Sequence, residues 1–321
     1  MEIFFLTLTQ MLKMFTFILV GYVLRKGKVL PRSSDLAMSR LETYFFVPAL
    51  SLYSWMNNCT KDTLKDNSVL ILYGLVIIAF AVVLAYFLCR LFVKKADTEE
   101  LEYERNIYKY AMTFSNYGFM GNFIVLGIWG NEMFFKYSMF TLCVGLVCSS
   151  WGLVILIPKA HGKSSVVSIL KRIFTPPMIA LILGMLAGLF NVKEYVPEFF
   201  MSVLSDGSNC MGPVAMVLAG FVIGGYDLKG LLLNKKVYLA SFMRLIAIPS
   251  FLMLVLKLFG VSNEIMSLAL IAFATPLGLN TIVYPAAYGG ETHTGASMTM
   301  ISSTLAVITL PIMYLVFIVL L

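Results

Sequence analysis

The chain has 321 residues, of which 60% are hydrophobic and only 13% are charged. Soluble domains carry about 25% charged residues, so this sequence lacks the polar surface that a water-exposed globule of its size needs. The net charge of +7 comes without stretches that interleave basic and aromatic residues, which excludes a nucleic-acid-binding surface.

Ten apolar segments follow one another along the chain, and each can cross the roughly 30 Å hydrocarbon core of a bilayer as a helix. They are predicted at residues 2–24, 34–56, 69–93, 106–129, 132–157, 173–191, 197–225, 237–259, 264–288 and 294–321. The connections are too short for a separate soluble domain. The sequence therefore predicts an all-α integral membrane protein with ten transmembrane helices, named spans 1 to 10 in chain order.

The basic residues favour one orientation of these spans. The loops that follow odd-numbered spans hold most of the Lys and Arg residues, among them Arg25, Lys26, Lys94, Lys95 and Lys235. Cytoplasmic loops are enriched in Lys and Arg. We therefore expect these loops in the cytoplasm and both chain ends outside, in a multi-pass protein of the plasma membrane.

Span 2 begins with Arg40 and Glu42, which are expected at the membrane interface. Pro48 follows, and Ser51 lies about one helical turn beyond it as a candidate for lining a cavity. Span 4 then places Ser115, Asn116, Gly118, Gly121 and Asn122 in one run; these are the polar and small residues at its centre. Because glycine loosens a helix and buried amides need partners, the run predicts an interrupted helix.

Spans 7 and 8 each carry a charged residue. A charge at the bilayer centre costs about 2.5–3.5 kcal/mol on insertion scales. Asp206 in span 7 is either a coupling site for a proton or cation, or an acid near the outer interface that caps a helix. Arg244 in span 8 could pair with an anionic substrate or with Asp206, and the favoured alternative is that it extends its charged end to the cytoplasmic surface.

Span 9 contains the segment ATPLGLNTIVYPAAYGG, from Ala274 to Gly290. Pro276, Gly278 and Pro285 disfavour a continuous helix, and Asn280 needs hydrogen-bond partners. An unpaired backbone amide in hydrocarbon costs several kcal/mol, so such breaks persist only beside protein or a wet cavity. The segment therefore predicts a second interrupted helix.

The two interrupted spans occupy corresponding positions in the two halves of the chain, residues 1–163 and 164–321. Five spans is an odd number, so the second half enters the membrane in the opposite orientation. We expect two inverted five-helix repeats in which the broken helices 4 and 9 cross. Their helix N-termini carry about half a positive charge each and form an anion-binding site.

Several segments resemble, in order and spacing, the auxin efflux carrier family of bacterial malate- and malonate-type permeases and plant auxin carriers. They are GYVLRKGKVL, FFVPALS, SNYGFMGNFIVLGIWG, LSDGSNCMGPVAMVLAGFVIG, MRLIAIP, ATPLGLNTIVYPAAYGG and SSTLAVITLP. The resemblance covers essentially the whole chain. It implies ten helices in two inverted repeats, elevator-like transport, and organic anions such as auxin, malate or malonate as substrates.

The resemblance also implies roles for particular residues. Asn116 would line the substrate site, Gly121 and Asn122 would occupy the first crossover, and Asn280 and Thr281 the second. A phenylalanine follows Asn122 where the family commonly has a proline, so the break in span 4 is expected at Gly121 and Asn122. The plant carriers have a proline in place of Thr281, which makes auxin a less fitting substrate.

Together these features predict a secondary transporter of a small mono- or dicarboxylate that works by alternating access. The amide side chains expected to bind the carboxylate are those of Asn116, Asn122 and Asn280. Backbone amides freed near Gly121, Pro276 and Gly278 are expected to add hydrogen bonds. The predicted partners are the anion and the bilayer, and the oligomeric state stays open, with a homodimer among the alternatives.

Two transporter alternatives remain, a sodium-coupled organic anion symporter and a cation/proton antiporter of related architecture. An antiporter needs adjacent acids at mid-membrane, and only Asp206 is available. An intramembrane aspartyl protease could use Asp206 and Asp227, but the Gly-x-Gly-Asp motif is missing. No H-E-x-x-H or G-x-S-x-G motif occurs, and five cysteines with two histidines form no metal-binding pattern. We expect neither an enzyme nor a cofactor.

Overall fold

The computed structural model describes residues 2–158 and 174–321, and every regular element among them is a helix. No strand occurs in these two ranges. The predicted all-helical class is therefore confirmed for the described part of the chain. The predicted boundary between the two halves, after residue 163, lies outside the described residues.

The helices follow one another with short connections. In the first range they are α1 (Glu2–Lys26), α2 (Ser34–Leu41), α3 (Val47–Asn58), α4 (Lys61–Asp66), α5 (Ser68–Leu88), α6 (Glu99–Thr113), α7 (Asn122–Val147) and α8 (Leu153–Ile155). In the second range they are α9 (Pro176–Leu189), α10 (Glu198–Ile223), α11 (Leu228–Leu232), α12 (Lys235–Phe242), α13 (Ile248–Leu258), α14 (Asn263–Ala274), α15 (Asn280–Ala287) and α16 (His293–Tyr314).

Wider helical turns of the π type extend or join several of these helices. They lie at Glu42–Phe46, Tyr117–Gly121, Cys148–Gly152, Met243–Ala247 and Leu315–Leu320. The first joins α2 to α3, and the fourth joins α12 to α13, so spans 2 and 8 are continuous rods with one irregular turn. Such turns are rare in helices and frequent at functional sites.

Six helical stretches among the described residues are long and apolar enough to cross a membrane. They are Ile3–Lys26, Lys61–Leu91, Glu99–Ile155, Glu198–Ile223, Lys235–Leu258 and His293–Leu320. Two shorter apolar helices are Pro176–Leu189 and Asn263–Ala274. This is the composition of a multi-pass membrane protein.

The longest stretch, of 57 residues, is interrupted at residues 114–116 and again at Gly130. Gly130 has φ 76° and ψ −165°, a backbone conformation that glycine adopts without the steric cost of a side chain. The helices before and after it coincide with predicted spans 4 and 5. A single long stretch therefore supplies two consecutive segments.

Two helix pairs make the most extensive contacts between helices in the described residues, α1 with α10 and α3 with α9. Glycines allow the close approach in both pairs. A Cβ atom added at Gly21 or Gly220 would overlap the backbone across the first pair, and one added at Gly184 or Gly188 would overlap the partner across the second. Small residues at such positions are typical of helix packing in membranes.

Two charged side chains lie deeper than the sequence predicts. Glu42 is 0% exposed, and neither of its carboxylate oxygens has a hydrogen-bond partner among the described residues. Arg244 is also 0% exposed and does not reach the surface. The expectation that Arg244 extends to the surface was wrong, because helices distant in sequence pack over the π segment that carries it, as others do over the segment that carries Glu42.

Candidate functional site

The interruption of span 4 lies earlier than predicted. Helix α6 ends at Thr113, Phe114 is extended with φ −113° and ψ 138°, and helical geometry resumes at Tyr117. Gly121 and Asn122, which were expected at the break, have helical dihedral angles. The expected position was wrong because contacts with span 9, rather than a glycine or proline, hold this break open.

The interruption of span 9 lies where the sequence predicts it. Helix α14 ends at Ala274, Thr275 is extended with φ −68° and ψ 154°, and α15 begins at Asn280. Pro276 and Gly278 lie in the non-helical segment between them. Proline lacks the amide donor that a continuing helix needs, so this break is encoded locally.

The two breaks are joined by hydrogen bonds between their polar groups. The amide nitrogen of Asn116 donates to the carbonyl oxygen of Pro276 at 2.7 Å. The Ser115 hydroxyl donates to the carbonyl oxygen of Ala272 at 2.6 Å, and it accepts from the Thr275 hydroxyl at 2.8 Å. Each break therefore satisfies groups that the other leaves free, as a hydrocarbon environment requires.

A cavity of about 250 Å³ opens beside the two breaks, and we call it the crossing cavity. Its lining residues are Thr43, Val47, Ser115, Asn116, Tyr117, Gly118, Phe119, Asn122, Cys148, Ser149, Leu153, Pro177, Gly278, Leu279, Asn280 and Tyr284. The predicted site residues among them are Asn116, Asn122, Gly278 and Asn280. Those that do not line it are Ser51, Gly121, Pro276 and Thr281.

The predicted residues outside the cavity wall have structural contacts instead. The Thr281 hydroxyl donates to the carbonyl oxygen of Gly278 at 3.0 Å and stabilises the start of α15. A Cβ atom added at Gly121 would overlap the hydroxyl of Tyr137, so Gly121 allows close packing within the first half. Ser51 is buried on α3.

Asn116 lines the crossing cavity and carries an unused, buried hydrogen-bond donor. Its side chain is 4% exposed, and its Nδ2 has no hydrogen-bond partner among the described residues. A buried donor left unsatisfied costs about 1–3 kcal/mol. A ligand that brings an acceptor to this atom would recover that free energy.

Asn280 is already engaged. Its Nδ2 donates to the Tyr110 hydroxyl at 2.9 Å and lies 4.0 Å from the Cys148 sulfur. The Tyr110 hydroxyl and the Cys148 sulfur are 3.4 Å apart. No sequence pattern singles out Tyr110 or Cys148, because aromatic residues and cysteine in apolar spans usually fill the core.

The lining residues of the crossing cavity carry no formal charge. Helical geometry begins beside it at Tyr117 and at Asn280, and each helix N-terminus contributes about half a positive charge. The first amide groups of a helix also lack acceptors within that helix. Neutral donors and two positive helix ends suit a small anion.

Other predicted chemistry lies away from this cavity. Asp206 is exposed on α10 and does not line it, so the structure does not bring Asp206 together with the site asparagines. Its neighbour Gly207 packs against Phe45 and Ala49 of span 2. Among the described residues, no group of three or more His, Cys, Asp or Glu side chains is placed to hold a metal ion.

Comparison with known proteins agrees with these features. A family model described as "Membrane transport protein" matches residues 6–314. The chain is 20% identical over 309 residues to the uncharacterized transporter YfdV of Escherichia coli K12, covering 94% of this chain and 95% of that protein. The YfdV proteins of Escherichia coli O157:H7 and Shigella flexneri match to the same extent. Since the family model spans nearly the whole length, this chain belongs to the membrane transport protein family, the family of the auxin efflux carriers.

Proposed function

We propose that this protein is a secondary transporter that carries a small mono- or dicarboxylate across the plasma membrane by alternating access. The observation that supports it most directly is the unpartnered side-chain amide of Asn116, a residue in the wall of a small neutral cavity beside two broken helices. A carboxylate would accept from this amide and face both helix N-termini. A cavity of about 250 Å³ has room only for a small substrate.

The architecture that goes with this function is ten spans in two inverted repeats, residues 1–163 and 164–321. In such repeats, span 6 is the counterpart of span 1, and span 7 is the counterpart of span 2. The contact between spans 1 and 7 (α1 with α10) therefore corresponds to the contact between spans 6 and 2 (α9 with α3). These are the two most extensive helix pairs described. The π segments that follow α7 and α16 also occupy equivalent places, at the ends of spans 5 and 10.

Alternating access would arise from movement between two groups of helices. Spans 1, 2, 6 and 7 form one group, and the broken spans belong to the other. A second cavity of about 530 Å³ separates the groups; its walls include Arg25, Asp35 and Tyr226 from the first and Ile282 and Val283 from span 9. With both chain ends outside, this cavity faces the cytoplasm and offers a route towards the crossing cavity.

The rival functions have less support. A cation-coupled exchanger needs a carboxylate in the site, and the residues that line the crossing cavity include none. An aspartyl protease needs two facing acids, whereas Asp206 is exposed and Asp227 caps α11 by accepting from the Gly230 amide at 2.9 Å.

Thermal unfolding of the purified protein with malonate, malate and acetate tests the proposal, with chloride as the reference anion. At least one carboxylate should raise the unfolding temperature of the wild type, because a ligand that binds only the folded state stabilises it. The Asn116→Leu variant should lose this response. Asn209→Leu, at an exposed position of α10, is the matched control and should keep it.

Uptake of radiolabelled malate into proteoliposomes then separates transport from binding. The wild type and Asn209→Leu should accumulate malate down its gradient, and Asn116→Leu should not. If none of the carboxylates stabilises the wild type, or if Asn116→Leu responds like the wild type, the proposed function is wrong.

A further inference from the structure

Arg244 lies in the first half of span 8, in the π segment Met243–Ala247, with a side chain that is 0% exposed. Its Nη1 donates to the carbonyl oxygen of Met112 at 3.2 Å. Its Cζ lies 5.6 Å from the centre of the Phe273 ring. Its Nε and Nη2 are buried and have no hydrogen-bond partner among the described residues.

No carboxylate in the described ranges pairs with this arginine. The ion pairs found there join Lys136 to Glu264 and Lys236 to Glu104, both at 2.8 Å. A buried charge is costly unless a nearby negative charge or a set of hydrogen bonds compensates it. The compensation of Arg244 must therefore come from groups other than acidic side chains.

Two helix ends are placed to supply it. Met112 lies in the last turn of α6, which ends at the break in span 4, and Phe273 lies in the last turn of α14, which ends at the break in span 9. Each helix C-terminus carries about half a negative charge. Arg244 donates to a carbonyl in the last turn of the first helix and lies beside an aromatic ring in the last turn of the second, so its single positive charge is placed near both half-charges.

Transporters with discontinuous helices use such places for ions. Unwound carbonyls and the C-terminal ends of half-helices coordinate the coupling sodium ion or proton. In this protein a guanidinium group occupies the place. We propose that Arg244 is a built-in cation of the helix crossing, which substitutes for a bound sodium ion and keeps the crossing cavity favourable for anions.

Arg244 acts on the cavity as a positioning residue, because it does not line the cavity itself. It is linked to the cavity through α6, because its hydrogen-bond partner Met112 and the cavity neighbour Tyr110 lie in the same last turn of that helix. The Tyr110 hydroxyl in turn accepts the hydrogen bond from Asn280 in the cavity wall. The effect on anion binding rests on the transporter function proposed above, whereas the compensation of the helix ends does not.

Adding free guanidinium to a variant that lacks the Arg244 side chain tests directly whether this cation compensates the two helix ends. Thermal unfolding of purified Arg244→Ala is measured in choline chloride, alone and with millimolar guanidinium or urea. We expect an unfolding temperature several degrees below that of the wild type, and recovery of at least about half of the loss with guanidinium but not with the neutral, similarly shaped urea. Arg40→Ala, at an exposed position of span 2, should not respond. An Arg244→Ala variant that guanidinium does not stabilise more than it stabilises Arg40→Ala would overturn the proposal.

Two further variants keep the test decisive if Arg244→Ala does not fold. Arg244→Lys keeps the charge, and Arg244→Gln keeps polarity and most of the length without the charge. We expect the Lys variant to unfold close to the wild type in choline chloride. The Gln variant should unfold several degrees lower and should be stabilised by sodium chloride over choline chloride. Equal behaviour of the two variants would show that the charge is not what matters.

The consequence for transport is measured with radiolabelled malate in proteoliposomes. Wild-type uptake should agree within about twofold between sodium and choline media, and Arg244→Gln uptake in choline should fall at least about tenfold. A tenfold sodium dependence of the wild type would overturn the proposal. If the wild type takes up no malate in either medium, the proposed function fails for this substrate, while the guanidinium measurement still decides the role of Arg244.

Discussion

The breaks in spans 4 and 9 face each other in the same crossing, but they arise in different ways. In span 9, Pro276 and Gly278 stop the helix through their own backbone chemistry. In span 4, Phe114, Ser115 and Asn116 include neither proline nor glycine, and hydrogen bonds to span 9 hold them out of the helix. One half of the protein therefore carries a local signal, and the other half takes its shape from its partner.

The largest expected effect comes from comparing the two asparagines that follow the breaks. Asn116→Leu removes an unpartnered donor, whereas Asn280→Leu removes a donor that already serves Tyr110. Hydrogen bonds to charged groups contribute about 1.5–3 kcal/mol, so Asn116→Leu should weaken carboxylate binding by about 10- to 100-fold. Asn280→Leu should weaken it less and should lower the unfolding temperature more. Isothermal titration and thermal unfolding of both variants give the comparison.

The fold of Asn116→Leu should persist, because the bond from residue 116 to Pro276 uses the backbone amide. An intact unfolding transition with malonate or malate binding weakened about 10- to 100-fold is therefore the expected result. If Asn280→Leu instead abolishes binding and leaves stability unchanged, Asn280 rather than Asn116 is the principal ligand in this crossing.

The next effect concerns the hydroxyl that joins the two breaks. Ser115→Ala leaves the Ala272 carbonyl without its donor and the Thr275 hydroxyl without its acceptor. Buried unsatisfied groups cost about 1–3 kcal/mol each, so we expect a loss of about 2 kcal/mol in the free energy of unfolding. Thr275→Val removes one bond and leaves the Ser115–Ala272 bond intact, so its loss should be about 1 kcal/mol. Equal losses would mean that the two breaks are not coupled through Ser115.

A smaller effect separates packing from helix breaking in span 4. A Cβ atom at Gly121 would overlap the hydroxyl of Tyr137, which donates to the carbonyl oxygen of Tyr117 at 3.0 Å. Overpacking typically costs about 1–3 kcal/mol, and we expect a value near the lower end for Gly121→Ala because the tyrosine can shift. Gly118→Ala is the matched control, because nothing lies within 4 Å of its added Cβ. It should be neutral or slightly stabilising in thermal unfolding.

The extent to which sequence predicted this site follows from the same difference. Proline and glycine disfavour a helix wherever they occur, so Pro276 and Gly278 allowed the break in span 9 to be predicted at its observed position. The break in span 4 was placed too late, at Gly121 and Asn122, because its cause is a partner helix more than 150 residues away. The burial of Arg244 was missed for a related reason, since helices distant in sequence cover it. Periodicity and composition therefore predict the helices, whereas tertiary contacts determine whether a polar side chain is buried or exposed.

The smallest expected effect tests whether Pro276 is still needed for the break in span 9 when the hydrogen bonds from span 4 are present. Pro276→Ala keeps the carbonyl that accepts from the Asn116 amide, and it mainly increases the freedom of the unfolded chain. Such changes amount to about 0.4–1 kcal/mol, so stability should fall slightly and carboxylate binding should be retained. Hydrogen exchange at residues 275–279 should match that of the wild type, in which the Leu277 amide donates to the Ser302 hydroxyl at 2.9 Å rather than to a helix carbonyl. Pro276→Ala could instead protect these amides from exchange and abolish malonate and malate binding. In that case the proline alone maintains the break in span 9, and the hydrogen bonds from span 4 form only because the break is already there.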